Sequence, residues 1–253
     1  MSLGRAYNDT SGKFNMSYLA ARMSQEINGV SKLHGEVSRR MLNVLWPGYL
    51  EDELFIGHVT NGVHYPTWLN KQWKKLYREL TGEKNFDQTD KSRWEIIYSV
   101  PDKDIYEIKT LLKQNLFEWI RKRIQTEMMN KRVSPRRLIN ISNHLNPDAL
   151  TIGFARRFAT YKRATLLFKD LDRLNEIIND PDKPVQFIFA GKAHPHDGGG
   201  QSLIERIIEV SHMPQFEGKI IFLENYDMEM SKQLISGGGI WLNTPTRPLE
   251  ASG

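Results

Sequence analysis

The chain has no cysteine in its 253 residues. That excludes disulfide bonds, thiolate catalysis and cysteine-ligated zinc. It has no apolar run long enough to span a bilayer. No charged-then-apolar leader stands at the N-terminus, so a cytoplasmic protein is expected, with no membrane partner. There is no internal repeat and no low-complexity segment. No Gly-x-x-x-x-Gly-Lys-Ser/Thr loop is present, and no strand leads into Gly-x-Gly-x-x-Gly, so neither a P-loop nor a dinucleotide fingerprint is supported. A net charge of +5 is mild. Its basic residues, as in Lys71 to Lys75 and Arg121-Lys122-Arg123, read as solvated helix faces, without the aromatic-interleaved stripe that nucleic-acid binding would need.

What is present is an ordinary globular balance, 40% hydrophobic and 26% charged, enough for one large or two smaller domains. From Phe14 to about Trp46 the pattern is helical. Met16, Leu19, Ala20 and Met23 form one stripe and Val30, Leu33, Val37, Met41 and Leu45 another, with a break at Asn28-Gly29. His34, on the second stripe beside Leu33, reads as a packed, hydrogen-bonded histidine. Leu54 to Val59 is strand-like, and Asn61 follows on a loop, either as a turn-former or facing a ligand. From Trp68 to Met129 the pattern is helical with breaks, one of them at Gly82. Asp102 is the expected cap of a long amphipathic helix with Ile105, Ile108, Leu112, Leu116, Trp119, Ile120 and Ile124 on its apolar face.

After Pro147 the period changes. Strands are expected at Leu150–Ala155, Val185–Ala190, Lys219–Leu223 and Ile240–Asn243. Helices are expected at Tyr161–Asn179, Ser202–Ser211 and Met228–Ile235. This alternation is half of a doubly wound parallel sheet, an α/β fold whose strand carboxyl ends share one edge. Four loops converge there: Arg156-Arg157, Gly191-Lys192, Glu224-Asn225-Tyr226, and Asn243 to Gly253 with Arg247, Glu250 and Ser252. Alone, the stretch from Gly153 to Arg163 is either a solvated basic helix start or an anion site built from cations and a helix N-terminus. The sheet edge favours the anion site, since fixed cations and glycine-rich backbone suit a phosphate. Glu250, Asn225, Tyr161 and Asn61 suit sugar hydroxyls. His194 and His196, with Asp197, stand two residues apart on one loop with no further ligand placed, and no metal is expected.

Phe154-Ala155-Arg156-Arg157-Phe158-Ala159-Thr160-Tyr161-Lys162-Arg163 resembles the α-glucan (glycogen, starch or maltodextrin) phosphorylases. Three further stretches agree in order. They are Phe14-Asn15-Met16 with Asn28-Gly29-Val30-Ser31-Lys32-Leu33-His34, then Thr60-Asn61-Gly62-Val63. The third runs from Leu223-Glu224-Asn225-Tyr226 through Trp241-Leu242-Asn243 to Pro248-Leu249-Glu250-Ala251-Ser252-Gly253, in the form of the shorter bacterial and archaeal branch. The resemblance implies the GT-B fold, two facing Rossmann-like domains with the active site in their cleft. On that division, residues 1–61 end the N-terminal domain, 62–147 form a helical linking region, and 148–253 are the first part of the C-terminal domain. It implies pyridoxal phosphate on a lysine. It implies retaining phosphorolysis of a terminal α-1,4-linked glucose to α-glucose 1-phosphate, with α-glucan and inorganic phosphate as partners and a homo-oligomeric parent left open.

Carried over by position, Arg157 and Lys162 hold the substrate phosphate, and Arg156 and Tyr226 lie near the cofactor phosphate. Asn61, Tyr161, Glu250, Ala251, Ser252 and Gly253 meet glucose. Many relatives have lysine where Arg156 stands, and the longer enzymes often have arginine where Asp227 stands. The cofactor lysine of the family lies a few residues beyond the position of Gly253, so the expectation is a piece of a longer enzyme, inactive by itself. A nucleotide-sugar glycosyltransferase of the glycogen synthase kind and a noncatalytic glucan- or phosphate-binding module stand as alternatives.

Overall fold

In the computed structural model, which describes residues 3–7, 9–10, 12–82, 89–131, 143–246 and 249–250, alternate residues of the apolar strands enter opposite cores. Phe187 and Phe189 go to one side and Ile188 and Ala190 to the other. Ile220 and Phe222 likewise separate from Ile221 and Leu223. A strand apolar on both faces must be covered on both, and the sheet that results carries helices on each side.

The chain divides into two compact units, residues 1–63 with 245–253, and residues 64–244. The first contains α1 (Met16–Met23), β1 (Ile27–Gly29), α2 (Lys32–Leu42) and β2 (Ile56–His58), with β1 and β2 parallel in the register Ile27 to Ile56. Asn28-Gly29 is thus not merely a helix break. Three residues are too few to show a period, and pairing with β2 makes them a strand. Ser31 caps α2 by accepting from the His34 amide at 3.2 Å, and His34 Nδ1 accepts from the Val30 amide at 3.0 Å. His34 is a hydrogen-bonded structural residue, as its position suggests. The α2 stripe is only partly used: Leu45 is buried, whereas Leu33 and Met41 are exposed. The helix rests on the strands by backbone contact instead, since a Cβ on Gly35 would lie 2.9 Å from the Gly57 carbonyl oxygen.

The second unit opens with α3 (Tyr65–Trp68), α4 (Lys71–Thr81), a 3-10 segment at Lys91–Ser99, and α5 (Asp102–Lys131). Gly82, at φ 67°, ends α4 in the left-handed conformation, as the sequence suggests. Asp102 is the first residue of α5 rather than its cap. The Pro101 carbonyl already accepts from the amides of Asp104 (3.0 Å) and Ile105 (3.3 Å). Along α5, Leu112, Leu116, Ile120 and Ile124 are buried, together with Phe117, which lies off the expected stripe.

The sheet follows: β3 (Leu150–Ala155), β4 (Val185–Ala190), β5 (Ile220–Leu223) and β6 (Ile240–Trp241), all parallel, in the order β5-β4-β3-β6. The connecting helices are α6 (Leu171–Ile178), α7 (Gly198–Ser211) and α8 (Met228–Gly237). Leu116, Phe117 and Ile120 of α5 pack with Met230 and Leu234 of α8 on one face. Leu174 and Ile178 of α6 pack with Ile207 and Val210 of α7 on the other. The chain is therefore a mixed α/β protein with parallel sheets. Among the described residues no helix is long and apolar enough to cross a membrane.

Candidate active site

Because the strands are parallel, Ala155, Ala190 and Leu223 stand side by side at one edge. Strand order runs from β3 through β4 to β5 and then jumps back to β6 on the other flank of β3. A crevice opens at such a reversal, between the loops leaving β3 and β6. The loop leaving β3 carries the arginines, and the loop leaving β6 carries Asn243 and Thr244.

Phe158 fixes the β3 loop. It is fully buried, its ring centroid lies 5.7 Å from that of Phe154 and 6.0 Å from that of Phe222, and its amide donates to the Lys192 carbonyl at 2.9 Å. Just before it the chain turns outward. Arg156 is half-buried, and its Nη1 donates to Asn243 Oδ1 across the crevice. Arg157 is exposed, with Nη2 3.5 Å from the Tyr161 hydroxyl. Lys162 is only 7% exposed, and its Nζ lies 5.3 Å from the Tyr161 ring centroid. The ring face offers a buried ammonium favourable electrostatics. Arg156, Arg157, Tyr161 and Lys162 are thus brought onto one turn at the ligand edge.

The helix expected at Tyr161–Asn179 does not form as one piece. Thr160–Lys162 is a single 3-10 turn, ended by Arg163 at φ 50° and ψ 44°. A second 3-10 segment spans Leu166–Lys169, and α6 starts only where Asp170 caps it, accepting from the Arg173 amide at 2.8 Å. The left-handed residue breaks the helix, so no long helix dipole points at the arginines. Positive charge at this edge comes from side chains.

Tyr226 is half-buried. Its hydroxyl lies 2.9 Å from Ser231 Oγ and donates weakly to the Ala155 carbonyl at 3.4 Å. It sits between Asn225, left-handed at φ 57°, and Asp227, which caps α8 by accepting from the Met230 amide at 2.8 Å. Arg123 of α5 braces this loop, donating from Nη1 to Asp227 (3.1 Å) and from Nη2 to the Asn225 carbonyl (2.8 Å). The Met230 amide first, and then Arg123, holds the Asp227 carboxyl below the usual carboxylate range. A depressed carboxyl stabilises the fold fully above its unfolded value and loses that contribution as pH falls through the folded one. As an N-cap replacement, Asp227→Ala should cost about 1 kcal/mol at pH 7. Asp227→Asn, which keeps a capping oxygen, should cost less. The gap between parent and Asp227→Ala should narrow towards that between Asp227→Asn and Asp227→Ala as pH drops below about 4, since a protonated carboxyl still offers a capping oxygen. Urea unfolding across pH measures this, and a gap that does not narrow at acid pH contradicts it.

Other expected site residues are not on this turn. Asn61 and Glu250 belong to the first unit. Asn61 is exposed on the segment after β2, its amide donating to the Val30 carbonyl at 3.0 Å, and Glu250 is half-buried. Ala251, Ser252 and Gly253 lie outside the described residues, as does Arg247. His194 and His196 have ring centroids 5.4 Å apart, while Asp197 is spent capping α7, accepting from the Gly200 amide at 2.9 Å. Among the described residues no group of three or more such side chains is arranged to hold a metal. Sequence reasoning missed Asn243 and Thr244 as partners of the β3 loop, and Arg123. The first two stand directly after the strand at which the order reverses, a position that marks them once the topology is known. Arg123 sits in a basic run on a helix and carries no local signal.

A family model described as carbohydrate phosphorylase matches residues 5–253. A glycogen phosphorylase of Mycobacterium tuberculosis is 43% identical over 245 residues, covering 97% of this chain and 28% of that protein. A maltodextrin phosphorylase of Thermococcus litoralis is 42% identical over 95% of the chain and 28% of its own length. A glycogen phosphorylase of Aquifex aeolicus is 41% identical over 100% of the chain and 36% of its length. The chain thus spans between 28% and 36% of these relatives. With the ordered motifs, the parallel sheet and the match along nearly all of its length, this chain belongs to the carbohydrate phosphorylase family.

Proposed function

We propose that the protein carries out phosphorolysis of α-1,4-glucan. Inorganic phosphate attacks C1 of the terminal glucose, the bond from C1 to the glycosidic oxygen breaks, and a proton passes to that oxygen. The products are α-glucose 1-phosphate, with configuration retained, and a glucan shorter by one unit. The observation that carries this reading is the turn from Arg156 to Lys162, with three cations and a tyrosine hydroxyl at the reversal of strand order. Arg157 and Lys162 hold the substrate phosphate and Tyr161 a glucose hydroxyl. Asn61 and Glu250, with Ala251, Ser252 and Gly253, complete the sugar contacts. Preorganised cations of this kind stabilise charge that develops as the glycosidic bond breaks.

The donor set also fits pyridoxal phosphate. Arg156 presents a guanidinium beside Asn243, and Tyr226 lies on the adjoining loop. Arg156 and Tyr226 would hold the cofactor at its phosphate. When bound, the cofactor supplies a second phosphate that exchanges a proton with the first. Two phosphates held near each other would repel strongly, and cations on one short turn would offset that repulsion. Asp227, where longer relatives often have arginine, serves the fold as the cap of α8. For the parent protein we propose the GT-B architecture, with residues 1–61 in its N-terminal domain, 62–147 linking, and 148–253 in its Rossmann-like C-terminal domain.

The assay compares phosphate-dependent release of glucose 1-phosphate from maltodextrin with turnover of sugar nucleotides, on the protein at its natural length. Glucose 1-phosphate is the expected product. Sugar-nucleotide turnover without it would point instead to a glycosyltransferase, and glucan binding without either to a noncatalytic module.

A further inference from the structure

Hydrogen bonds join the β3 loop to the β6 loop, and Thr244 takes part in them both as donor and as acceptor. Its hydroxyl donates to the Lys162 carbonyl at 3.0 Å, with the Arg163 carbonyl oxygen 3.4 Å away, and its own carbonyl accepts from Arg163 Nε at 2.8 Å. Arg163 is held at φ 50°, a conformation that costs a non-glycine residue free energy and persists only where surrounding contacts enforce it. The residue before it is the buried Lys162, and the 3-10 turn that orients that lysine is closed by the Lys162 amide to Ala159 (3.0 Å) and the Arg163 amide to Thr160 (3.1 Å). The strained residue, the reciprocal bonds and the buried cation coincide at one point.

We infer that Thr244 and Arg163 form a latch that positions Lys162 for the substrate phosphate. This rests on the reading above that Lys162 contacts that phosphate. Neither Thr244 nor Arg163 touches substrate in this account. They act through the backbone of Lys162, tying the turn to the loop leaving β6 on the far side of the crevice. With the latch broken, Arg163 relaxes towards ordinary φ, the 3-10 turn loosens, and the ammonium is no longer fixed where the anion arrives. Fixed donors are worth more than mobile ones because they need no reorganisation when charge appears. The loss should fall on phosphate affinity and leave glucan recognition alone.

The test uses Thr244→Val, which removes the hydroxyl at nearly constant shape, and Thr244→Ser, which restores it, in the cofactor-loaded protein at its natural length. Lys162→Ala serves as reference. Thr244→Val should raise KM for inorganic phosphate about fivefold, the worth of one lost hydrogen bond, with KM for maltodextrin unchanged. Thr244→Ser should bring the phosphate KM back to the parent value. Independently of activity, amide hydrogen exchange at Lys162 and Arg163 should quicken in Thr244→Val and not in Thr244→Ser. An unchanged phosphate KM in Thr244→Val, beside a raised one in Lys162→Ala, overturns the latch. So does an equal rise of phosphate and maltodextrin KM with a lowered melting temperature, which marks a general structural defect. If Lys162→Ala itself leaves the phosphate KM unaltered, the assignment of Lys162 fails first and the latch with it.

Discussion

Replacing Arg157 by alanine should lower phosphorolytic turnover by about a hundredfold or more while leaving the fold intact, since the loss of one preorganised donor commonly costs that much. The two halves of this expectation come from separate observations. The side chain of Arg157 is exposed, and its one described side-chain bond, to the Tyr161 hydroxyl, is long at 3.5 Å. Removing an exposed side chain with so little packing shifts stability by about 0.5 kcal/mol or less. The guanidinium nevertheless projects from a loop that Phe158 anchors in the aromatic core, so its position is set by the sheet. Arg157→Lys keeps the charge but not the planar fork that matches a phosphate, and should recover only part of the loss. Steady-state turnover at saturating phosphate, beside thermal unfolding, tests both halves. Near-parental turnover in Arg157→Ala would sink the assignment of this residue to the substrate phosphate.

Gly191→Ala should do the reverse and damage the fold first. Gly191 follows the last residue of β4, between the bond from the Arg156 amide to the Ala190 carbonyl (3.2 Å) and that from the Phe158 amide to the Lys192 carbonyl (2.9 Å). Those two bonds hold the β3 and β4 loops together past the end of the sheet. At φ 148°, a Cβ on Gly191 would stand 2.0 Å from the Arg156 carbonyl oxygen and 2.7 Å from Phe158 Cε2. The first is backbone and the second a ring packed on all sides, so neither can yield cheaply. A cost of about 3 kcal/mol or more is expected, from backbone strain and displaced packing together. For a unit of this size that lowers the melting temperature by roughly 6–12 °C. What relaxation remains would move Arg156, so activity should fall as well. A melting temperature within a degree of the parent would show that the loop accommodates a side chain there and is less rigid than its bonds imply.

The second unit was largely legible in the sequence because its strands are apolar on both faces and its helices are not. Val185–Ala190 can only be a strand covered twice, and Leu112, Leu116, Ile120 and Ile124 mark the buried face of α5 at helical spacing. The first unit read less well. Ile27–Gly29 is a strand only because Ile56–His58 lies beside it, and a pairing between residues so far apart leaves no period in three letters. At the site, the residue types that bind phosphate could be named from the sequence, but not the geometry that holds them. Tyr161 to Leu174 keeps helical spacing throughout. What breaks the helix is Arg163, whose left-handed backbone answers to Thr244, 81 residues further on. Propensity is local and yielded to a contact that is not. Asp227 illustrates the converse: the resemblance marks it as a departure from the longer enzymes, yet in this fold it is the cap of α8 and the partner of Arg123.

The burial of Phe158 directly after two arginines has a thermodynamic consequence. Arg156, Arg157, Lys162 and Arg163 are gathered within eight residues of chain on a turn whose path the aromatic core dictates. In the unfolded chain these four charges can drift apart, and in the native turn they cannot. Folding therefore brings like charges together, and their own partners and packing elsewhere in the unit offset the cost. An anion seated among them relieves repulsion that exists only in the native state, so it binds the folded chain in preference to the unfolded one and raises its stability. On the proposed reading, phosphate is then a structural ligand as well as a reactant, and the second unit melts highest when its own substrate is present.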